Sequence, residues 1–119
     1  MAAEAGIGDP SLGRMNLQKT FRGDLIANGS GQMLAMRSGI DSSAGYVAME
    51  RVSGTLHGRH GGFVLQHSGT MTRGAPQLSI TIVPDSGTDE LKGIAGRLLI
   101  EITEGKHFYT LEYTLPDAQ

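Results

Sequence analysis

The stretch AGYVAMERVSGTLHGRHGGFVLQHSGTMT, Ala44–Thr72, decides the fold. Apolar and polar residues alternate through most of it, which is the period of a strand with one face packed and one face wet. It reads as two long strands, 45–57 and 62–72, joined by a tight turn around Gly58–Gly61. On the first strand Tyr46, Ala48, Glu50, Val52 and Leu56 share a face. On the second, Phe63, Leu65, His67 and Met71 share one, with Gln66, Ser68 and Thr70 opposite. We assign the first set of each strand to the interior. That assignment puts a carboxylate and an imidazole among apolar side chains.

Working outward, the same alternation recurs. Met15, Leu17, Lys19 and Phe21 share a face of a first strand, 15–24. Gly29, Ser30 and Gly31 then read as a turn, and 32–38 as a second strand. Downstream, Leu78, Ile80 and Ile82 face inward on 77–83. Ile94, Leu98, Ile100 and Ile102 do so on 94–103, and His107, Tyr109, Leu111, Tyr113 and Leu115 on 106–115. Glu104-Gly105 suits a two-residue hairpin turn. PDSGTDELKG, residues 84–93, reads as a loop with one helical turn at 89–92. No segment keeps a helical period over three turns. The expected fold is all-β, a single closed antiparallel up-and-down barrel of about eight strands. Residues 1–13 lack periodicity and read as a flexible N-terminal tail before a barrel domain spanning 14–119.

Composition narrows the function classes. A chain of 119 residues suffices for one self-supporting domain. There is no cysteine, so disulfides and thiol chemistry are excluded. Ten basic against twelve acidic residues leave no footprint for nucleic acid. No apolar run is long enough to span a membrane, and no basic region precedes an apolar block at the start. A cytoplasmic protein is therefore expected. Eighteen glycines fit a strongly bent sheet with tight turns.

The motifs SAGYVAMERVSGTLHGR, GGFVLQHSGTM, VPDSGTDELKGIAG and GKHFYTLEY occur in that order. Together they make residues 17–115 resemble the bacterial domain-of-unknown-function family 3224. The resemblance implies an allene-oxide-cyclase-like β-barrel, a class that also hosts dirigent proteins and some polyketide cyclases. It carries no activity over. It raises the expectation of a small, mostly apolar ligand.

Glu50 and His67 are the candidate catalytic pair. If His57 pairs with Gly62, Val52 lies opposite His67 and Glu50 opposite Gly69. Glu50 and His67 are then diagonal neighbours about 7 Å apart on one face. A carboxylate in an apolar barrel is costly unless paired, and an imidazole is a fitting partner for proton transfer. The competing reading is a buried polar pair that pins the register. Tyr46, His107 and Tyr109 are candidates to orient a substrate, with phenol hydroxyls aimed at a carbonyl or oxyanion. Phe63 and Leu65 would wall the pocket. His57-Gly58-Arg59-His60 falls in a turn without a carboxylate at ligand spacing, so no metal is expected, and no cofactor.

These residues predict a binder of a small apolar molecule that runs acid–base chemistry as a cofactor-free isomerase, cyclase or lyase. A non-catalytic carrier or sensor, or a purely structural barrel, are the alternatives. Val47, Met49, Val64 and Leu99 fall on the outer face, which predicts a homo-oligomer, most simply a dimer.

Overall fold

A computed structural model describes residues 11–40 and 42–116. The described residues form eight antiparallel strands: β1 (Gly13–Phe21), β2 (Leu25–Arg37), β3 (Ala44–Leu56), β4 (Arg59–Thr72), β5 (Ala75–Ile82), β6 (Thr88–Asp89), β7 (Ala95–Thr103) and β8 (Lys106–Thr114). They lie in one sheet in the order β1-β2-β3-β4-β5-β7-β8, with β6 on the flank of β4. The all-β, up-and-down reading holds. The expected tail lies outside the described residues up to Pro10, and its last residue, Gly13, already belongs to β1.

The hairpin turns share one chemistry. His57-Gly58, Arg73-Gly74 and Glu104-Gly105 all take positive φ at both positions, 48° and 78° in the first. That is the mirror-image turn whose twist matches the strands it joins, and glycine at its second position removes the steric cost. The central turn is thus His57-Gly58, not Gly58–Gly61, and β4 begins at once with Arg59. The register follows: Glu50 lies opposite Leu65, Ala48 opposite His67 and Tyr46 opposite Gly69. The sequence reading had placed Glu50 opposite Gly69.

Two further segments differ. Gly29-Ser30-Gly31 is not a turn but the middle of the 13-residue β2, and the chain reverses at residues 22–24 instead. The 84–93 segment contains no helix. It acts as a substitute strand. β5 stops at Ile82, which would leave the amides on the far side of the first half of β4, the side away from β3, without partners. Side-chain oxygens fill the gap. Val64 N donates to Ser86 Oγ (3.0 Å), Gly62 N to Thr88 Oγ1 (3.0 Å) and His60 N to Glu90 Oε1 (2.9 Å). The same segment drives Leu91 and Ile94, each 1% exposed, into the lower mouth of the sheet. There they pack with Phe21, Val52, Leu56, Phe63, Leu65 and Ile82.

The sheet curls but does not close into a barrel by hydrogen bonds. β8 pairs with β7 and with no other strand, so β1 and β8 remain edges. Side chains span this seam instead: the Phe21 and Tyr109 rings meet edge to face at 5.6 Å, and His57 lies 6.1 Å from Tyr113. β5 and β7 share a single pair, Thr81 with Arg97. The interior is consequently packed at the lower end and open at the upper end, where Met71 and Leu78 are exposed. No helix of the described residues is long and apolar enough to cross a membrane.

Candidate functional site

The register sets three tiers on the concave face. From the closed end upward they are Lys19–Gly29–Val52–Phe63, then Leu17–Gly31–Glu50–Leu65, then Met15–Met33–Ala48–His67–Ile80. Glu50 on β3 and His67 on β4 are diagonal neighbours, one tier apart, as expected, although across the opposite diagonal. Glu50 is fully buried and His67 is 3% exposed. His67 Nε2 lies 2.9 Å from Glu50 Oε1. A carboxylate only accepts, so Nε2 carries the proton and donates it to Oε1. The remaining ring nitrogen, Nδ1, has no hydrogen-bond partner among the described residues.

A second charge completes the site. Lys19 Nζ lies 3.6 Å from the same Glu50 Oε1. Lys19 belongs to β1, two strands from β3, a gap of about 10 Å in a sheet. It reaches across because the intervening β2 presents Gly29 and Gly31 on this face. The glycines are what the carboxylate needs too. A Cβ on Gly29 would stand 2.0 Å from Glu50 Oε2 and 2.9 Å from its Cδ. Glu50 Oε2 is buried without a hydrogen bond among the described residues. The sequence placed Lys19 on the inner face beside Leu17 and Phe21 but gave it no role. A lysine alternating with apolar residues was the available sign.

The tier above His67 is Ala35–Tyr46–Gly69–Leu78. It floors a groove of about 470 Å³ whose walls include Met33, Met71 and Pro76. The Tyr46 ring lies flat against Gly69, where an added Cβ would come 2.4 Å from Cε1. Burial pushes the Tyr46 phenol above its ordinary value, so it remains a protonated donor.

The other candidates lie elsewhere. Phe63 and Leu65 are in the packed core at 0% and 1% exposure, below the groove and not on its walls. Tyr109 lines the seam cleft with Phe21 and Tyr113. His107 pairs with Ile102 through its backbone, and its side chain lies outside the described residues. Among the described residues no group of three or more histidine or carboxylate side chains is placed to hold a metal ion. His57 and His60 are both exposed.

Comparison with known proteins agrees with the architecture. A crystal structure of a protein with unknown function from the DUF3224 family of Shewanella oneidensis MR-1 matches with a TM-score of 0.89 and 44% identity, over 98% of this chain and 89% of that one. No curated protein matches. The family model described as "Protein of unknown function (DUF3224)" matches residues 2–113, and with that coverage and that identity the chain belongs to the DUF3224 family.

Proposed function

We propose that the chain binds a small, mostly apolar molecule in the upper groove and moves a proton on it, as an isomerase, cyclase or lyase would. One observation carries this reading. A fully buried carboxylate fixes an imidazole through Nε2 at 2.9 Å and leaves Nδ1 without a described partner, one tier below an apolar groove. A carboxylate that orients a histidine selects its tautomer and supports the imidazolium that forms when the free nitrogen takes a proton. His67 is then the base and acid, and Glu50 the residue that positions it. Lys19 balances the carboxylate. Tyr46, at the groove floor, supplies a neutral donor to an oxygen that gains charge.

The test is elimination of 5-nitrobenzisoxazole, a flat apolar molecule that needs only a positioned base. The expected acceleration over buffer is about 10²–10⁴-fold, the usual contribution of general-base catalysis. It should vanish in His67→Gln and survive in Tyr109→Phe, since Tyr109 belongs to the seam. Binding of the compound without acceleration would favour a carrier, and general-base action would be refuted.

The outer face supports a self-association reading. Leu34, Val47 and Met49 are exposed on adjacent strands, at 38%, 52% and 48%. A second copy of this chain is the partner we assign to that patch. Sedimentation should give a dimer that Val47→Lys with Met49→Lys converts to monomer; a monomeric wild-type chain would refute the assignment.

A further inference from the structure

Strands β5 and β7 part in the middle. Thr81–Arg97 is their one pair. Continued in the same antiparallel register, it would set Leu98 beside Ile80, Ile100 beside Leu78 and Ile102 beside Pro76. Ile80 and Leu98, next to the pair, are buried at 2% and 3%. One step further up, Leu78 is 45% exposed, and Ile102 at the hairpin end is 64% exposed. The strands are thus packed up to the Ile80–Leu98 level and separate above it. Leu78 and Pro76 are also walls of the groove. The side of the groove that β7 would complete is open.

The β7–β8 hairpin is built to move as a unit. Its nine residue pairs run unbroken from Ala95–Thr114 to Thr103–Lys106. Neither of its strands pairs with β1, and its foot is anchored in the core by Ile94 and Leu98, so the part that can swing is its free end above that level. Closure would bury Leu78 and Ile102 and complete the burial of Ile100, which already packs in part against the core, and it would give backbone groups on both strands their ladder partners.

We propose that the β7–β8 hairpin is the movable fourth wall of the ligand groove: it zips along β5 and brings Ile100 and Ile102 onto a bound apolar molecule. This inference rests on the groove being the ligand site. Ile100 and Ile102 are then specificity-determining residues that contact ligand only in the closed sheet.

A cross-link tests it. Gln77 and Glu101 are exposed positions that the continued register sets opposite each other, and the chain has no other cysteine. In Gln77→Cys/Glu101→Cys, a zipped sheet would hold the two Cα atoms within about 5.5 Å, inside the range of a disulfide. The probe is 1-anilinonaphthalene-8-sulfonate, with oxidised glutathione as oxidant. Gln77 lies on the groove's rim, so the reduced variant supplies the reference affinity. Oxidation before the probe is added should weaken binding at least about tenfold, equal to about 1.4 kcal/mol. Oxidation with the probe present should retain it through gel filtration. Leu78→Arg should abolish binding and Val47→Arg should not. Failure of the intramolecular disulfide to form in the folded protein, or a disulfide that leaves probe affinity unchanged in both orders of addition, overturns the closure while the groove reading stands. No probe binding by wild type, or binding that survives Leu78→Arg, overturns the groove reading and the closure with it.

Discussion

Gly29→Ala is expected to destabilise the protein by about 3–5 kcal/mol, the usual cost of breaking a buried ion pair on one side. The sign is the informative part. Alanine in place of a strand glycine ordinarily stabilises by about 0.5–1 kcal/mol, because it restricts the unfolded chain and packs a methyl group. Here the new Cβ would stand 2.0 Å from Glu50 Oε2 and 3.2 Å from its Cγ, so both carboxylate and stem must shift. Glu50 has nowhere to go that keeps its partners. It is fully buried, and its Oε1 is held by His67 at 2.9 Å and faced by Lys19 at 3.6 Å. Urea titration of four proteins isolates the cause: wild type, Gly29→Ala, Glu50→Ala and the double variant. In the Glu50→Ala background the collision is gone, and Gly29→Ala should cost close to nothing. Equal costs in the two backgrounds would mean that Gly29 is needed for backbone reasons alone.

The same glycine marks where the sequence stops being readable. Gly-Ser-Gly between two apolar runs is ordinary turn chemistry, and nothing local distinguishes a turn from a strand whose side chains have been removed to make space. The space is needed by Lys19 and Glu50, which lie 10 or more residues away on either side. Only the register brings the three together. The Glu50–His67 contact is legible because the misplaced turn leaves it intact. Alternation put both residues on the inner face, and either register makes them diagonal neighbours. The exact turn did not matter to the pair, but it decided that Tyr46, and not Glu50, lies opposite Gly69. Closure was not legible. Ile100 and Ile102 alternate like interior residues whether or not a neighbouring strand covers them. A count of strands also says nothing about whether the first and last hydrogen-bond. Leu91 was hidden by a third effect: a polar segment serves as a strand through Ser86, Thr88 and Glu90 side chains, which leaves no period-2 pattern to find, whereas Ile94, at the start of the next alternating run, reads correctly as interior.

The pair itself separates stability from function. His67→Leu is expected to cost about 3–5 kcal/mol, since it strips the buried Glu50 carboxylate of its hydrogen bond and leaves it only the Lys19 ammonium. Glu50→Leu should cost less, about 1–3 kcal/mol, the penalty of an unsatisfied buried imidazole; Lys19, already 28% exposed, can turn to water. The double variant is the decisive one. Two leucines of similar volume in these adjacent tiers need no partners, and replacing a buried pair by packed apolar residues is often neutral or stabilising. Glu50→Leu/His67→Leu should therefore recover most of the loss of His67→Leu, with a coupling of about 2 kcal/mol or more between the sites. Chemical denaturation of the four proteins measures it. Additive losses would mean that the two residues do not act as a unit, and the 2.9 Å contact would carry no energetic weight. If the double variant is stable yet fails to accelerate the elimination reaction, the pair is not there to hold the sheet together. A register pin would behave in the opposite way: the double variant would lose its unique fold. The first outcome would mean that a chain which keeps a buried carboxylate, makes room for it with glycine and stretches a lysine across two strands to balance it holds a proton-transfer group against a stability cost.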